Sequence, residues 1–153
     1  MRPTRFAGLA LLALAMSCSD ALSPEQRQIR DLETAQRRWQ ARNLHTYAFT
    51  LQRSCFCGNV NPLYIVVLSD RVGGVFDLNT GAFVDVQLGE TIEDLFTFIQ
   101  SAIDHHASLI RAEYDAASGF PTQIDYDGSA MAADDELSVR ISDVHPITPQ
   151  SVP

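Results

Sequence analysis

Residues 91–104 read Thr-Ile-Glu-Asp-Leu-Phe-Thr-Phe-Ile-Gln-Ser-Ala-Ile-Asp, and they form the clearest element of the chain. Thr91 is a good helix N-cap, and Asp94 stands three residues on, a short-armed version of the capping-box acid. Ile92, Leu95, Phe96, Ile99, Ala102 and Ile103 recur at spacings of three and four and make one broad apolar face. A helix with one apolar face must bury it against another layer. On both sides of this helix the sequence turns to strand signals.

Upstream, Tyr47, Phe49 and Leu51 alternate with polar residues, as a half-buried strand does. Ser54 to Pro62 reads as a loop, with Gly58, Asn59, Asn61 and Pro62 as breakers. Leu63 to Leu68 is a continuous apolar run rich in β-branched residues and predicts a central strand. Val72 to Leu78 is a weaker strand, Asn79-Thr80-Gly81 a hairpin turn, and Phe83, Val84 and Val86 continue the meander. Downstream, strands are predicted at Leu109 to Tyr114, at Phe120 to Tyr126, and around the alternating Leu137, Val139 and Ile141.

A first helix precedes all of these. Ser23 caps it, Pro24 fits its first position, Gln26 completes a capping box, and Asn43 ends it. Ile29, Leu32, Ala35 and Trp39 supply a narrow apolar stripe among five arginines. The order is helix, three or four strands, helix, three strands, and short connections make the strands antiparallel. The expected fold is α+β: a twisted antiparallel sheet of six to seven strands with both helices on one face, read as two helix-plus-meander halves.

The N-terminus sets the compartment. Arg2 and Arg5 precede an apolar run from Phe6 to Met16, then Ser17 and Cys18. The run is shorter than the roughly 20 residues needed to span a bilayer, so residues 1–17 read as a secretory signal peptide. Cys18 takes the place of a lipid-anchor cysteine, and residues 18–22 form a short linker. The alternative is cleavage after Ala13-Leu14-Ala15, which leaves Cys18 a free thiol. Cysteine counting favours acylation: of three cysteines, Cys55 and Cys57 pair and Cys18 is the odd one. A single domain is expected over 23–145, with a loose tail over 146–153, rich in Pro and Ser.

Loss of Arg2 and Arg5 takes the formal net charge from −8 to −10. So acidic a chain is a poor binder of nucleic acid. There is no lysine, which excludes a Schiff base and a P-loop lysine.

With these elements placed, the chain resembles an uncharacterised family of bacterial lipoproteins, domain of unknown function 6174. The matching features are Trp39 before Tyr47-x-Phe49, Cys55-Phe56-Cys57, and Thr91 to Phe96 opening the second helix. Tyr114-Asp115 with Gly119-Phe120-Pro121, and Asp134-Asp135-Glu136 before the last strand, complete the order. The resemblance implies an exported, lipid-anchored domain and supplies no activity.

Chemistry is sparse. Cys55-x-Cys57 has three readings: a loop-shaping disulfide, favoured by export, a strained redox pair, or part of a metal site. If the meander runs strictly up and down, His105 and His106 end the second helix near the cysteines, and two Cys with a His would suit zinc. The simpler reading of both histidines is a solvated helix C-terminus, where cations favour the dipole. Asp125, Asp127, Ser129 and Glu136 fall at positions 1, 3, 5 and 12 of a calcium-loop count, but the glycine is misplaced and the flanks read as strands. Glu113, Asp115 and Asp125 are the carboxylates that a glycosidase reading would pair, and strand alternation produces such sets by chance. His45 and His145 flank strands with no evident partner. No nucleophile elbow, zincin motif or phosphate loop occurs, so no catalytic residue and no cofactor are expected. The expectation is a non-enzymatic envelope protein, held to a membrane through its anchor and binding an unknown envelope protein or ligand. The alternative is a thiol-redox or metal- or small-ligand-binding protein using Cys55 and Cys57.

Overall fold

The computed structural model describes residues 22–55, 61–129, 131 and 135–148. Residues 1–17, read above as a signal peptide, together with Cys18, Cys57, Asp134 and the residues from 149 onward, lie outside the described residues. The fold is α+β: two helices and one seven-stranded antiparallel sheet.

Helix α1 spans Pro24–Ala41, and its capping box is formed as expected: Ser23 Oγ accepts from the Gln26 amide while Gln26 Oε1 accepts from the Ser23 amide. Such a cap is worth about 1 kcal/mol. Arg42 closes the helix and Asn43 follows in the left-handed region at φ 49°, the usual exit conformation. Helix α2 spans Ile92–Asp104, with Thr91 and Asp94 forming the second box.

Strands β1 (Thr46–Cys55), β2 (Leu63–Leu68), β3 (Arg71–Asp77) and β4 (Ala82–Phe83) make the first meander. Strands β5 (Leu109–Tyr114), β6 (Pro121–Asp127) and β7 (Glu136–Pro146) make the second. The sheet order is β4-β3-β2-β1-β7-β6-β5, so the two meanders join along β1 and β7. One end of the sheet carries Cys55, Leu63, Asp77, Leu109, Asp127 and Glu136; the other carries Thr46, Leu68, Arg71, Tyr114 and Pro146.

One face of the sheet is the core. Tyr47, Phe49, Leu51, Leu63, Ile65, Val67, Val75, Ile110, Ile124, Val139 and Ile141 point to it. The apolar faces of α1 (Leu32, Ala35, Trp39) and α2 (Ile92, Leu95, Phe96, Ile99) cover them. Burying one such side chain stabilises by about 1.5–3 kcal/mol. The two helices run antiparallel. The N-terminal turn of α1 meets the C-terminal end of α2 near the Cys55 end, where Glu25 lies 3.9 Å from His106. The α1 C-terminus meets the start of α2, where Trp39 reaches Glu93.

Two segments depart from the sequence reading. Strand β1 continues to Cys55, into the stretch read as loop, because β7 pairs with it as far as Cys55↔Leu137. The meander ends early: β4 has two residues, and Val86–Leu88 is a 3-10 turn capped by Asp85. That turn brings Gly89 over the core side of β3. An added Cβ there would lie 2.7 Å from Val75 Cγ2 and 3.0 Å from Val72 Cγ1, so a larger residue would have to push these valine side chains aside. The segment covers β3 where a further strand was expected.

Candidate functional site

The face opposite the helices is open among the described residues. Cross-strand register places Phe83, Phe76, Tyr64, Thr50 and Ser142 in one row over β4, β3, β2, β1 and β7. Phe76 and Phe83 have ring centroids 3.8 Å apart, Tyr64 and Phe76 6.3 Å, and Tyr64 and His145 6.3 Å. Phe83 is 65% exposed although it is a large apolar side chain. Gly74 lies beside this row, and a Cβ on it would touch the Phe76 and Phe83 rings at 3.8 and 3.9 Å, an ordinary contact. The β7–β6 half of the face is polar. Asp125 accepts from Ser138 Oγ at 2.8 Å and from Gln123 Nε2 at 3.0 Å, and Arg140 and Ser142 are exposed beside them. An aromatic half and a hydrogen-bonding half on one surface suit recognition.

The second concavity is a cleft of about 530 Å³ at the Cys55 end, lined by Cys55, Ser54, Asp125, Asp127, Glu136 and Ser138 among others. Asp127 and Glu136 are directly paired across β6 and β7, an arrangement of like charges that weakens the ladder. The calcium-loop count does not assemble here. Asp125 is taken up by Ser138 and Gln123, Asp127 accepts from the Ser129 amide, and strands flank the turn.

His105 and His106 do come to this end of the sheet, as the topology predicted, but into separate clefts. His105 lies with Phe98, Tyr126 and Gly128, and its Nδ1 donates to the Ser101 carbonyl at 2.7 Å. His106, in the left-handed region at φ 53°, lies with Pro24, Glu25 and Gln28. Among the described residues no group of three or more His, Cys, Asp or Glu is placed to hold a metal ion. His45 and His145, which the sequence left without partners, have them: His45 Nδ1 lies 2.8 Å from Asp70, and His145 Nε2 3.4 Å from the Tyr64 hydroxyl.

Of the carboxylates considered for glycoside chemistry, Asp115 is a turn former. It accepts from the Ser118 hydroxyl and from the Ala117 and Ser118 amides, and the Ser118 hydroxyl bond above all holds its carboxyl below the usual range. Asp77 does the same for the β3–β4 turn. It accepts from Asn61, Asn79 and Thr80, and the Asn61 bond leads in lowering its pKa.

Sequence reading missed the polar cluster that joins α1, β1 and the start of α2. Trp39, on the apolar stripe of α1, packs edge-on to Tyr47 of the sheet at 5.2 Å. Its indole also donates to Glu93 at 2.6 Å, and the Tyr47 hydroxyl donates to the other Glu93 oxygen at 2.7 Å. The same hydroxyl accepts from the Ile92 amide at 3.0 Å, so Tyr47 satisfies a free amide at the start of α2. Burial first, then the Glu93 hydrogen bond, pushes the Tyr47 phenol well above its ordinary pKa. A phenol so held stays protonated and serves as a donor that fixes α2 to β1. Arg53, too, has a partner that spacing could not show. It ion-pairs with Glu90 at 3.1 Å and donates to the Leu88 carbonyl at 2.9 Å.

A family model described as a family of unknown function (DUF6174) matches residues 31–146. The match takes in α1 from its second turn, the whole sheet, α2 and every residue of the Trp39–Tyr47–Glu93 cluster. No curated protein and no solved structure matches the chain. Among the described residues no helix is long and apolar enough to cross a membrane.

Proposed function

We propose that this chain, which belongs to the DUF6174 family of unknown function, is an exported envelope lipoprotein. In this reading it is anchored through Cys18 and works by binding through its open sheet face, without catalysis. The single observation that carries the binding role is the Phe83–Phe76–Tyr64 row on a face that neither helix covers. Isolated exposed apolar residues are ordinary, but aromatic residues adjoining across strands beside satisfied polar groups are typical of recognition surfaces. The Cys18 anchor rests on the apolar run before it and on the odd cysteine count. The partner is an envelope protein or ligand outside the anchor membrane.

Photo-crosslinking in the native envelope tests this reading. A photoreactive residue at Phe76 or Phe83 is expected to give a discrete adduct, and one at Arg30 on the outer side of α1 is expected to give none. Adducts from Arg30 alone would contradict it.

A second reading gives Cys55 and Cys57 a redox or ligand role, favoured by the cleft that Cys55 lines. Cys55 ends a strand and gains no helix-dipole activation of its thiolate, which supports the loop-shaping disulfide instead. Native thiol titration separates the two. No reactive thiol supports the structural role, and a pair that cycles at mild potential supports the redox one.

A further inference from the structure

Resting on the proposed acylation of Cys18, we propose that the domain stands end-on at the membrane. The Cys55 end of the sheet is the lower rim, and Leu109 and Met131 enter the headgroup region of the bilayer. The first support is the tether. Five residue steps separate Cys18 from Ser23, which reach at most about 17 Å when fully extended. The N-terminal turn of α1 therefore cannot leave the membrane surface by more than that. This turn lies at the Cys55 end: Glu25 approaches His106 at the close of α2, and Gln28 Nε2 donates at 2.5 Å to the carbonyl of Ile110, one residue into β5. From there α1 runs 18 residues, about 27 Å of helix, which carries the Thr46 end away from the anchor.

The distribution of exposed apolar side chains gives independent support. Among the described residues the exposed large hydrophobics are Leu78, Phe83, Val86, Leu109 and Met131. Leu109 opens β5, Met131 lies in the β6–β7 connection, and Leu78 follows β3, all three on the Cys55 rim. The turns of the opposite end carry none of them; there the His45–Asp70 pair and residues Ala116 and Ala117 face solvent. Among the described residues, Leu109 is 42% and Met131 96% exposed. Aspartate and glutamate on the same rim, Asp104, Asp127 and Glu136, give no electrostatic attraction to anionic lipid. The contact is thus of apolar side chains with a bilayer of zwitterionic headgroups, reinforced by the acyl anchor.

Tryptophan scanning tests the orientation. The full-length protein, purified from envelopes, is reconstituted in zwitterionic phospholipid vesicles with brominated acyl chains. Native Trp39 is buried and supplies an unquenched background. Leu109→Trp and Met131→Trp are expected to lose about half of their added fluorescence, Ala117→Trp and Arg30→Trp almost none. Intact mass of the N-terminal peptide reports acylation in the same samples. An acylated protein quenched at Ala117 or Arg30, or at no site, overturns the end-on orientation and leaves the anchor standing. An unacylated protein overturns both.

Discussion

Gly119 lies where the β5–β6 turn meets α1, at φ +86°. A Cβ on it would sit 2.3 Å from the Ala35 carbonyl oxygen, 2.7 Å from Arg38 Cβ and 3.0 Å from the Trp39 nitrogen. Two of these atoms are helix backbone and cannot swing aside. Gly81 is the control, since it has φ +70° with nothing within 4 Å of the same position. Gly81→Ala meets only the left-handed backbone penalty, about 1–2 kcal/mol, eased by a stiffer unfolded chain. Gly119→Ala meets the same penalty plus overpacking of about 1–3 kcal/mol, for roughly 2–5 kcal/mol in all. Against a total stability of about 5–15 kcal/mol the second loss is large. Urea unfolding followed by the fluorescence of the single tryptophan, Trp39, measures both, since that residue lies against the perturbed turn. Losses equal within about 0.5 kcal/mol would refute the claim that close approach to α1, rather than φ alone, requires glycine at position 119.

The Glu93 cluster predicts coupling. In a double-mutant cycle of Trp39→Phe with Glu93→Gln, followed by far-UV circular dichroism, the interaction energy should exceed about 0.5 kcal/mol. Tyr47→Phe should cost about 1–3 kcal/mol by stranding the buried Ile92 amide. Asp77 and Asp115 both have folded pKa values below the unfolded value of about 3.9. Their contribution is complete above that value and is lost as pH falls through the depressed folded values, so Asp115→Asn should flatten the acid limb of a stability–pH curve, and an unchanged limb would count against its turn hydrogen bonds. On the open face, Phe83→Ser should change stability by less than about 0.5 kcal/mol yet abolish the adduct formed from Phe76. A retained adduct would locate recognition elsewhere.

Local signals carried most of the architecture. Both capping boxes, the Leu63–Leu68 strand and the α2 face involve residues a few positions apart, where hydrogen bonding and periodicity act directly. What eluded sequence reading is long-range. β1 extends to Cys55 because β7 arrives from the far end of the chain, and Val86–Leu88 curls because β3 needs a cover. Glu93 looked like an ordinary acid in the first turn of a helix; only folding brings Trp39 and Tyr47 to it from 54 and 46 residues away. The open face was half legible. Leu63–Leu68 and Val72–Leu78 were legible as strands, but the continuous apolar run of β2 does not tell its two sides apart, and the row that Tyr64 and Phe76 form depends on register.

The junction of β1 with β7 bears on how the protein is made. Its partners are separated by 82 residues at Cys55↔Leu137 and by 99 at Tyr47↔Pro146. A chain delivered N-terminus first completes its first meander and α2 while one side of β1, in the middle of the future sheet, has no neighbour. Such an edge is a template for pairing with another chain, and non-local ladders of this kind close slowly. Until Glu136–Pro146 emerges, the half-built sheet is open to misassembly at its centre rather than at its rim. A premature stop anywhere before β7 therefore leaves a strand-pairing hazard rather than a smaller working domain, and the last eleven-residue strand decides whether the first hundred residues were worth folding.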